Sequence, residues 1–376
     1  MKKIREITVF TYGDSSKISI WSNVPYFFTT TLEKKGIQVN RIDITPNKIL
    51  RKYFNYIIYK VVNFIDKTNC YNYSRSLMFY LEAHFKIKHA VKQYPKSDAF
   101  IFLNFDFSTS RYTDKPSIQF GDWTYEHYIN YFLNKKPNIL ERQFIKRQNS
   151  QINKSDIVFP LFPIMAEFMK EHYKSKIVYL GNVINSVYTA SQNEILKTKR
   201  TSHKILFIGS PKYIEGAVAL IDAFNQLKSK HPDLSLHFIG LIEHDFRLLS
   251  LPKDVFCYGY LDKGNNKDRD TYYNLLKEAR VFVNTTPKWS AFSASIETMY
   301  FYTPVIVPSY DEFVKTFGTD FTAGVFCNDN VELSNVIESI LIGENYEKQC
   351  VEAHNLVKDF TWDAYITKIL SAIKKL

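Results

Sequence analysis

Glu297 lies in the run Ser293-Ala294-Ser295-Ile296-Glu297-Thr298-Met299, which reads as a helix start feeding the apolar strand Pro304-Val305-Ile306-Val307. Upstream, Ile205-Leu206-Phe207-Ile208 breaks at Gly209, an amphipathic stretch runs from Gly216 to Lys230, and Leu236-His237-Phe238-Ile239 stops at Gly240. Strand, glycine loop, helix and strand in that order bring polar residues to the carboxyl ends of parallel strands, where open α/β sheets bind ligands. Glycine at 209 lets the backbone approach an anion, and the N-terminus of the following helix can stabilise its charge. A carboxylate at a helix start has a plainer reading as well, since the helix dipole alone favours it there.

A second set of candidates stands in the first half. Asp122 follows the strand-like run Ser117-Ile118-Gln119-Phe120, within Gly121-Asp122-Trp123-Thr124, at a strand's carboxyl end. It can serve as a general base or charge stabiliser with Trp123 and His127 beside it, or simply as a turn aspartate capping a helix. Asp106, after the run 99–103, is the weaker rival. In Tyr12-Gly13-Asp14-Ser15-Ser16, Gly13 and Asp14 can present backbone N–H groups near a reacting centre.

The elements that must position these residues alternate throughout. Ile7 to Phe10, Val39 to Ile44, Ala99 to Leu103, Ser117 to Phe120, Asp156 to Pro160 and Lys176 to Leu180 read as strands, several of them continuous apolar runs of the buried parallel type. A helix from Val24 to Lys35 should end at Gly36. Residues 189–203 are polar and non-periodic and read as an interdomain linker. The expected fold is α/β, as two Rossmann-like halves with right-handed parallel crossovers.

A chain of 376 residues with 45% hydrophobic and 23% charged residues is long enough for two soluble domains. Cys70, Cys257, Cys327 and Cys350 are scattered, which argues against a zinc site or a disulfide framework and fits a reducing compartment. No apolar run approaches the ~20 residues that span a bilayer. The N-terminus shows no signal-peptide core, so a cytoplasmic protein is expected. Residues 1–190 hold 28 Lys and Arg against 15 Asp and Glu, whereas residues 191–376 hold 21 against 23. An anionic partner for the first half follows, or else a merely lysine-rich solvated surface. Within 46–67, basic residues interleave with Leu50, Tyr53, Phe54, Ile57, Ile58, Val61 and Phe64. That is the pattern of an interfacial helix, or of a helix packing its stripe on the domain core. No nucleic-acid recognition motif accompanies the charge, so no nucleic-acid partner is expected.

Lys204 to Gly209, Glu215-Gly216, His231-Pro232-Asp233-Leu234, Val255 to Leu261, Ile296-Glu297-Thr298-Met299 with Thr303-Pro304-Val305-Ile306, and Phe360-Thr361-Trp362-Asp363 occur in an order that resembles the donor half of GT-B glycosyltransferases. The nearest group is the retaining glycosyltransferase family four (glycosyl transferases group 1). The resemblance implies residues 1–190 as a Rossmann-like acceptor-binding domain and 200–360 as a Rossmann-like nucleotide-sugar donor domain, facing across a cleft. It also implies that 361–376 form a helix crossing back to the first domain. The implied activity is retaining transfer of a sugar from a nucleotide-sugar to a glycan or lipid-linked acceptor, with no metal or other cofactor. A place in bacterial cell-envelope polysaccharide synthesis is expected, with peripheral contact at the anionic inner face of the membrane.

In that frame Glu297 holds the ribose diol. Gly209, Ser210 and Lys212 hold phosphate together with Ser290 and Ser293, in the turn that contains Phe292. Tyr258, Tyr260 and Leu261 border the base. Three positions depart from the family. Ser210 and Glu215 replace the usual Arg and Lys that neutralise a diphosphate, and Trp289 stands where the family's first glutamate falls. Trp289 can stack on a sugar or fill the cleft; Lys212 can supply a cation or be a plain surface lysine. A nucleoside-monophosphate sugar donor, an inverting outcome and a catalytically silent binding subunit are the alternatives these departures raise.

Overall fold

The computed structural model describes residues 4–189, 191–246, 250–286 and 292–376. They fall into two compact units, Met1–Asn182 with Trp362–Leu376, and Val183–Thr361.

The first unit holds six strands: β1 (Glu6–Thr11), β2 (Gln38–Asp43), β3 (Ala99–Phe102), β4 (Ser117–Gly121), β5 (Ile157–Pro160) and β6 (Lys176–Ile177). All neighbours run parallel in the order β2-β1-β3-β4-β5-β6. Every residue of β3, β4 and β5 is buried; β3 and β5 read as unbroken apolar runs for that reason, while β4 also buries Ser117 and Gln119. The strand predicted over 176–180 is shorter: β6 is an edge strand with one neighbour, and its ladder ends with Val178 N–H donating to Val158 O. Helix Val24–Lys34 stops as its glycine predicts, with Gly36 at φ +78°. Helix Trp362–Ile373 packs on it: the Trp362 ring lies 6.3 Å from Phe27 and 6.1 Å from Phe28, and Asp363 pairs with Lys35 at 2.7 Å.

The second unit carries β7 (Lys204–Ile208), β8 (Ser235–Ile239), β9 (Val255–Cys257), β10 (Ala279–Val283), β11 (Val305–Val307) and β12 (Gly324–Phe326), again all parallel, in the order β12-β11-β10-β7-β8-β9. The chain direction of winding reverses between β1 and β3 in one sheet and between β7 and β10 in the other. Those reversals are the positions where doubly wound sheets open a crevice at their carboxyl ends.

Residues 189–203 do not form the expected linker, because Gln192–Thr201 is a helix. It buries just Ile195 and Lys199, too few positions to show a period. Lys199 enters the interior by satisfying its amine there, donating to Leu276 O at 3.1 Å, Ala279 O at 2.6 Å and Thr303 Oγ1 at 2.8 Å. The stripe within 46–67 does form a helix, Lys48–Phe54 continuing through a π-helical stretch Asn55–Tyr59 into Lys60–Ile65. The core-packing reading fails for it: Phe54 is its one buried residue.

Candidate functional site

In the second unit the reversal between β7 and β10 gathers the glycine loop and the polar end of β10. Gly209 N–H donates to Ile239 O at 3.0 Å, and a Cβ on Gly209 would meet the Phe207 and Tyr213 rings at 2.8 and 2.9 Å. Gly240 (φ +90°) packs so closely that a Cβ there would lie 2.5 Å from Gly209 O. Pro211–Tyr213 makes one 3₁₀ turn before helix Ile214–Lys228, which starts two residues earlier than the amphipathic pattern indicates. Ser210 caps that turn and is exposed; Lys212 is exposed with its ammonium 4.8 Å from the Tyr213 ring centre. Gly216 brings the helix against the chain end of β10, since a Cβ would meet Thr286 Oγ1 at 2.4 Å and its N at 2.7 Å.

The polar end of β10 is a feature that sequence reasoning passed over. Asn284, Thr285 and Thr286 are all buried. Asn284 Nδ2 donates to Ile208 O at 3.4 Å, Thr286 Oγ1 donates to Tyr213 O at 3.2 Å, and Thr286 N–H donates to Asn284 Oδ1 at 3.2 Å. Thr285 Oγ1 has no hydrogen-bond partner among the described residues. Three polar residues ending the apolar strand Val281-Phe282-Val283 were the available signal. Trp289 and Ser290 lie outside the described residues.

Glu297 is not at a helix start. It sits in the sixth position of helix Phe292–Tyr300, buried, so the dipole explanation of its placement falls away. Lys263 Nζ donates to its two oxygens at 2.8 and 3.0 Å, and Tyr272 OH donates to Oε2 at 2.9 Å. The side chains of this ion pair are 11% and 7% exposed. Lys263 also reaches Asn185 O at 3.3 Å and lies 4.1 Å from the Tyr272 ring centre. Burial, and then the Glu297 charge, push the Tyr272 hydroxyl well above its ordinary range. The connection from β9, at the sheet edge, leads to helix Asn266–Glu278 before β10. Lys263 is carried on it.

The remaining donor-side candidates separate. Ser293 is exposed near the start of the Phe292–Tyr300 helix. Phe292 is a core residue, 1% exposed, with its ring 5.9 Å from Phe313 and 6.1 Å from Phe317, which takes it out of the donor-contacting set. Tyr258 bonds through its hydroxyl to His237 Nδ1 at 2.9 Å, along the β8–β9 edge, while Tyr260 is exposed and Leu261 half-buried.

In the first unit the reversal falls between β1 and β3, and the residues that meet there are Tyr12 and Asp106. Tyr12 OH donates to Asp106 Oδ2 at 2.8 Å and Gln148 Nε2 donates to Oδ1 at 2.7 Å; burial raises the Asp106 carboxyl above its ordinary range. Gly13 (φ +100°) donates its N–H to Asp43 Oδ1 at 3.0 Å, and Asp14, exposed, binds Ser16. Asp122, one strand further along, is half-buried, with Oδ1 accepting from Trp123 N–H at 2.8 Å. Trp123 and His127 are buried against each other with ring centres 4.8 Å apart, and Phe168 lies 4.8 Å from His127 on another side. Desolvation pushes His127 down to about 4, so at neutral pH it is an uncharged ring in an aromatic cluster.

Residues 190–356 match the glycosyl transferases group 1 family. This segment resembles a group 1 glycosyltransferase domain. The whole chain has the GT-B fold of its structural neighbours, and it is read as a glycosyltransferase on that match and that fold together. Sucrose-phosphate synthase from Thermosynechococcus elongatus is similar over 99% of this chain and 98% of its own, with a TM-score of 0.71 at 12% identity. WaaG, a glycosyltransferase involved in lipopolysaccharide biosynthesis, is similar over 98% and 99%, with a TM-score of 0.66 at 12% identity. The pneumococcal O-GlcNAc transferase GtfA, solved in complex with UDP and GlcNAc, is similar over 77% of this chain and 59% of its own, with a TM-score of 0.55 at 14% identity. A search of curated proteins finds no match.

Proposed function

We propose that this glycosyltransferase moves a sugar from a nucleotide-sugar to a glycan or lipid-linked acceptor with retention of configuration, in bacterial cell-envelope polysaccharide synthesis. It would act in the cytoplasm, in peripheral contact with the anionic inner membrane face. The observation that carries the donor half of this reading is the buried Glu297 carboxylate held by Lys263 and Tyr272. A carboxylate offers about four lone-pair sites, so one stays open to a ribose hydroxyl after those three contacts. Lys263 balances the charge that makes the carboxylate a strong acceptor. Gly209 lets the loop lie close to the departing phosphate, and the backbone of Ser210 with Lys212 stabilises it as the acceptor hydroxyl attacks. Asp122 orients or deprotonates that hydroxyl. The chemistry asks for no metal ion. The envelope role is supported by the described role of WaaG, and a UDP donor by the ligands of GtfA.

Calorimetry with UDP tests the assignment: Glu297→Ala should weaken nucleotide binding roughly tenfold or more, and unchanged affinity would remove Glu297 from the ribose site. Asp122→Asn should lower turnover while nucleotide affinity stays the same. A nucleoside-monophosphate donor is the second reading, favoured by Ser210 and the exposed Glu215 where the family carries cations. Melting temperatures with UDP, GDP, CMP and ADP separate the two, because a bound nucleotide raises apparent stability by mass action.

A further inference from the structure

The large apolar side chains exposed on this protein are concentrated on two helices of the first unit. On the helix from Lys48 to Ile65 they include Ile49, Tyr53, Tyr56, Ile57, Val61 and Phe64, with Phe64 88% exposed. On helix Leu77–Gln93 they are Leu77, Met78, Leu81 and Phe85, the last 76% exposed. The two helices adjoin, since Asn47 N–H donates to Glu82 Oε1 at 2.9 Å and Lys86 Nζ to Thr45 O at 2.6 Å. The apolar sets of the two helices therefore adjoin where the first helix begins. Soluble chains rarely leave so much contiguous apolar area in water. A helix of this length that buries only Phe54 gains little of the tertiary packing that normally holds a helix.

Charge identifies the occupant. Residues 46–93 hold nine Lys and Arg and two acidic residues, Asp66 and Glu82. Both acids are engaged locally, Asp66 by Thr68 and Asn138, and Glu82 by Tyr73 and Lys86. The cationic field around the apolar side chains is thus left uncompensated. A second copy of the chain fits poorly, because a two-fold interface would place this basic cluster against itself. A bilayer with anionic headgroups offers an apolar interior and negative charge on one surface.

We propose that the protein docks on an anionic membrane through this two-helix face, with Phe64 and Phe85 as apolar anchors and Lys48, Arg51 and Lys52 facing the headgroups. The docking surface deepens the membrane contact in the proposed function and rests on that reading for its purpose. Its test is independent, because vesicle binding is measured without donor or acceptor.

The full chain is sedimented with phosphatidylglycerol–phosphatidylcholine vesicles and with pure phosphatidylcholine vesicles. Binding to the anionic vesicles should exceed binding to the neutral ones and fall at high salt. Phe64→Ser with Phe85→Ser should reduce partitioning roughly tenfold or more. Lys48→Glu, Arg51→Glu and Lys52→Glu together should remove the preference for anionic lipid. All five positions are exposed, so melting temperature should hold, and transfer to a water-soluble acceptor should not change. Absence of binding to anionic vesicles, or binding that the phenylalanine pair does not alter, overturns the proposal. So does a monomer–dimer equilibrium in sedimentation velocity that the same pair abolishes with no effect on lipid, which would give the surface to a second copy.

Discussion

Removing the Lys263 ammonium would leave the Glu297 carboxylate buried with the Tyr272 hydroxyl as its one remaining donor among the contacts described here. An uncompensated buried charge is costly, so Lys263→Met should lower unfolding free energy by roughly 3–5 kcal/mol. Adding Glu297→Gln to that variant removes the charge and should restore much of the loss, because the penalty belongs to the orphaned carboxylate and not to the missing lysine packing. Urea denaturation of the two single variants and the double variant reads this coupling directly; simply additive losses would mean that the pair does not act as a unit. The same cycle bears on function. If Lys263 keeps Glu297 charged and oriented, Lys263→Met should weaken nucleotide binding in the direction of Glu297→Ala. Glu297 was visible in the sequence because it stands beside an apolar strand. Lys263 was not, since the partner lies 34 residues away and no local period links the two.

Elements impose their own constraint at Gly216. There helix Ile214–Lys228 is pressed onto the end of β10 so closely that a methyl group would overlap Thr286 Oγ1 and N, at 2.4 and 2.7 Å. Gly216→Ala should cost about 1–3 kcal/mol as an overpacking change, and it should also displace the 209–213 turn, lowering nucleotide affinity. Gly36→Ala is the control. Nothing lies within 4 Å of a Cβ there, so its cost is only that of φ +78° for an L-residue, about 1 kcal/mol, with no effect on nucleotide binding. Equal binding losses in the two variants would mean that Gly216 has no special part in the turn. Apolar runs are also why the strands were readable: β3 and β5 are buried along their whole length and advertise it in every residue. Two segments misled for opposite reasons. Gln192–Thr201 hides a buried lysine in a polar sequence, because three oxygens distant in sequence accept from it. The helix from Lys48 to Ile65 carries the apolar stripe of a core element but lies in the open, and no residue pattern distinguishes a stripe meant for protein from one meant for another apolar surface.

Across the whole molecule, His84, His127 and His237 sit on different elements of the two units in one electrostatic situation. Each is buried, each is pushed down to about 4 chiefly by desolvation, and each has cationic or protonatable neighbours that add to the shift. Those neighbours are Arg111 and Lys154 for His84, His172 for His127, and Lys204 for His237. In the unfolded chain these imidazoles regain an ordinary value of about 6.5. Between about 6.5 and 4 the unfolded chain therefore binds protons that the folded chain does not, and linkage makes unfolding more favourable as pH falls. Stability from these groups is complete above 6.5 and is progressively lost toward 4. Melting temperature should fall from pH 6.5 to 4.5, before most carboxylates titrate. His127→Phe isolates one share of the loss. Its ring lies among Trp123, Tyr131 and Phe168 and its Nε2 has no hydrogen-bond partner among the described residues, so phenylalanine should fit at neutral pH with little change in stability. The variant should then lose less stability than the parent between pH 6.5 and 4.5, and an acid profile parallel to the parent's would show that His127 is already protonated in the fold.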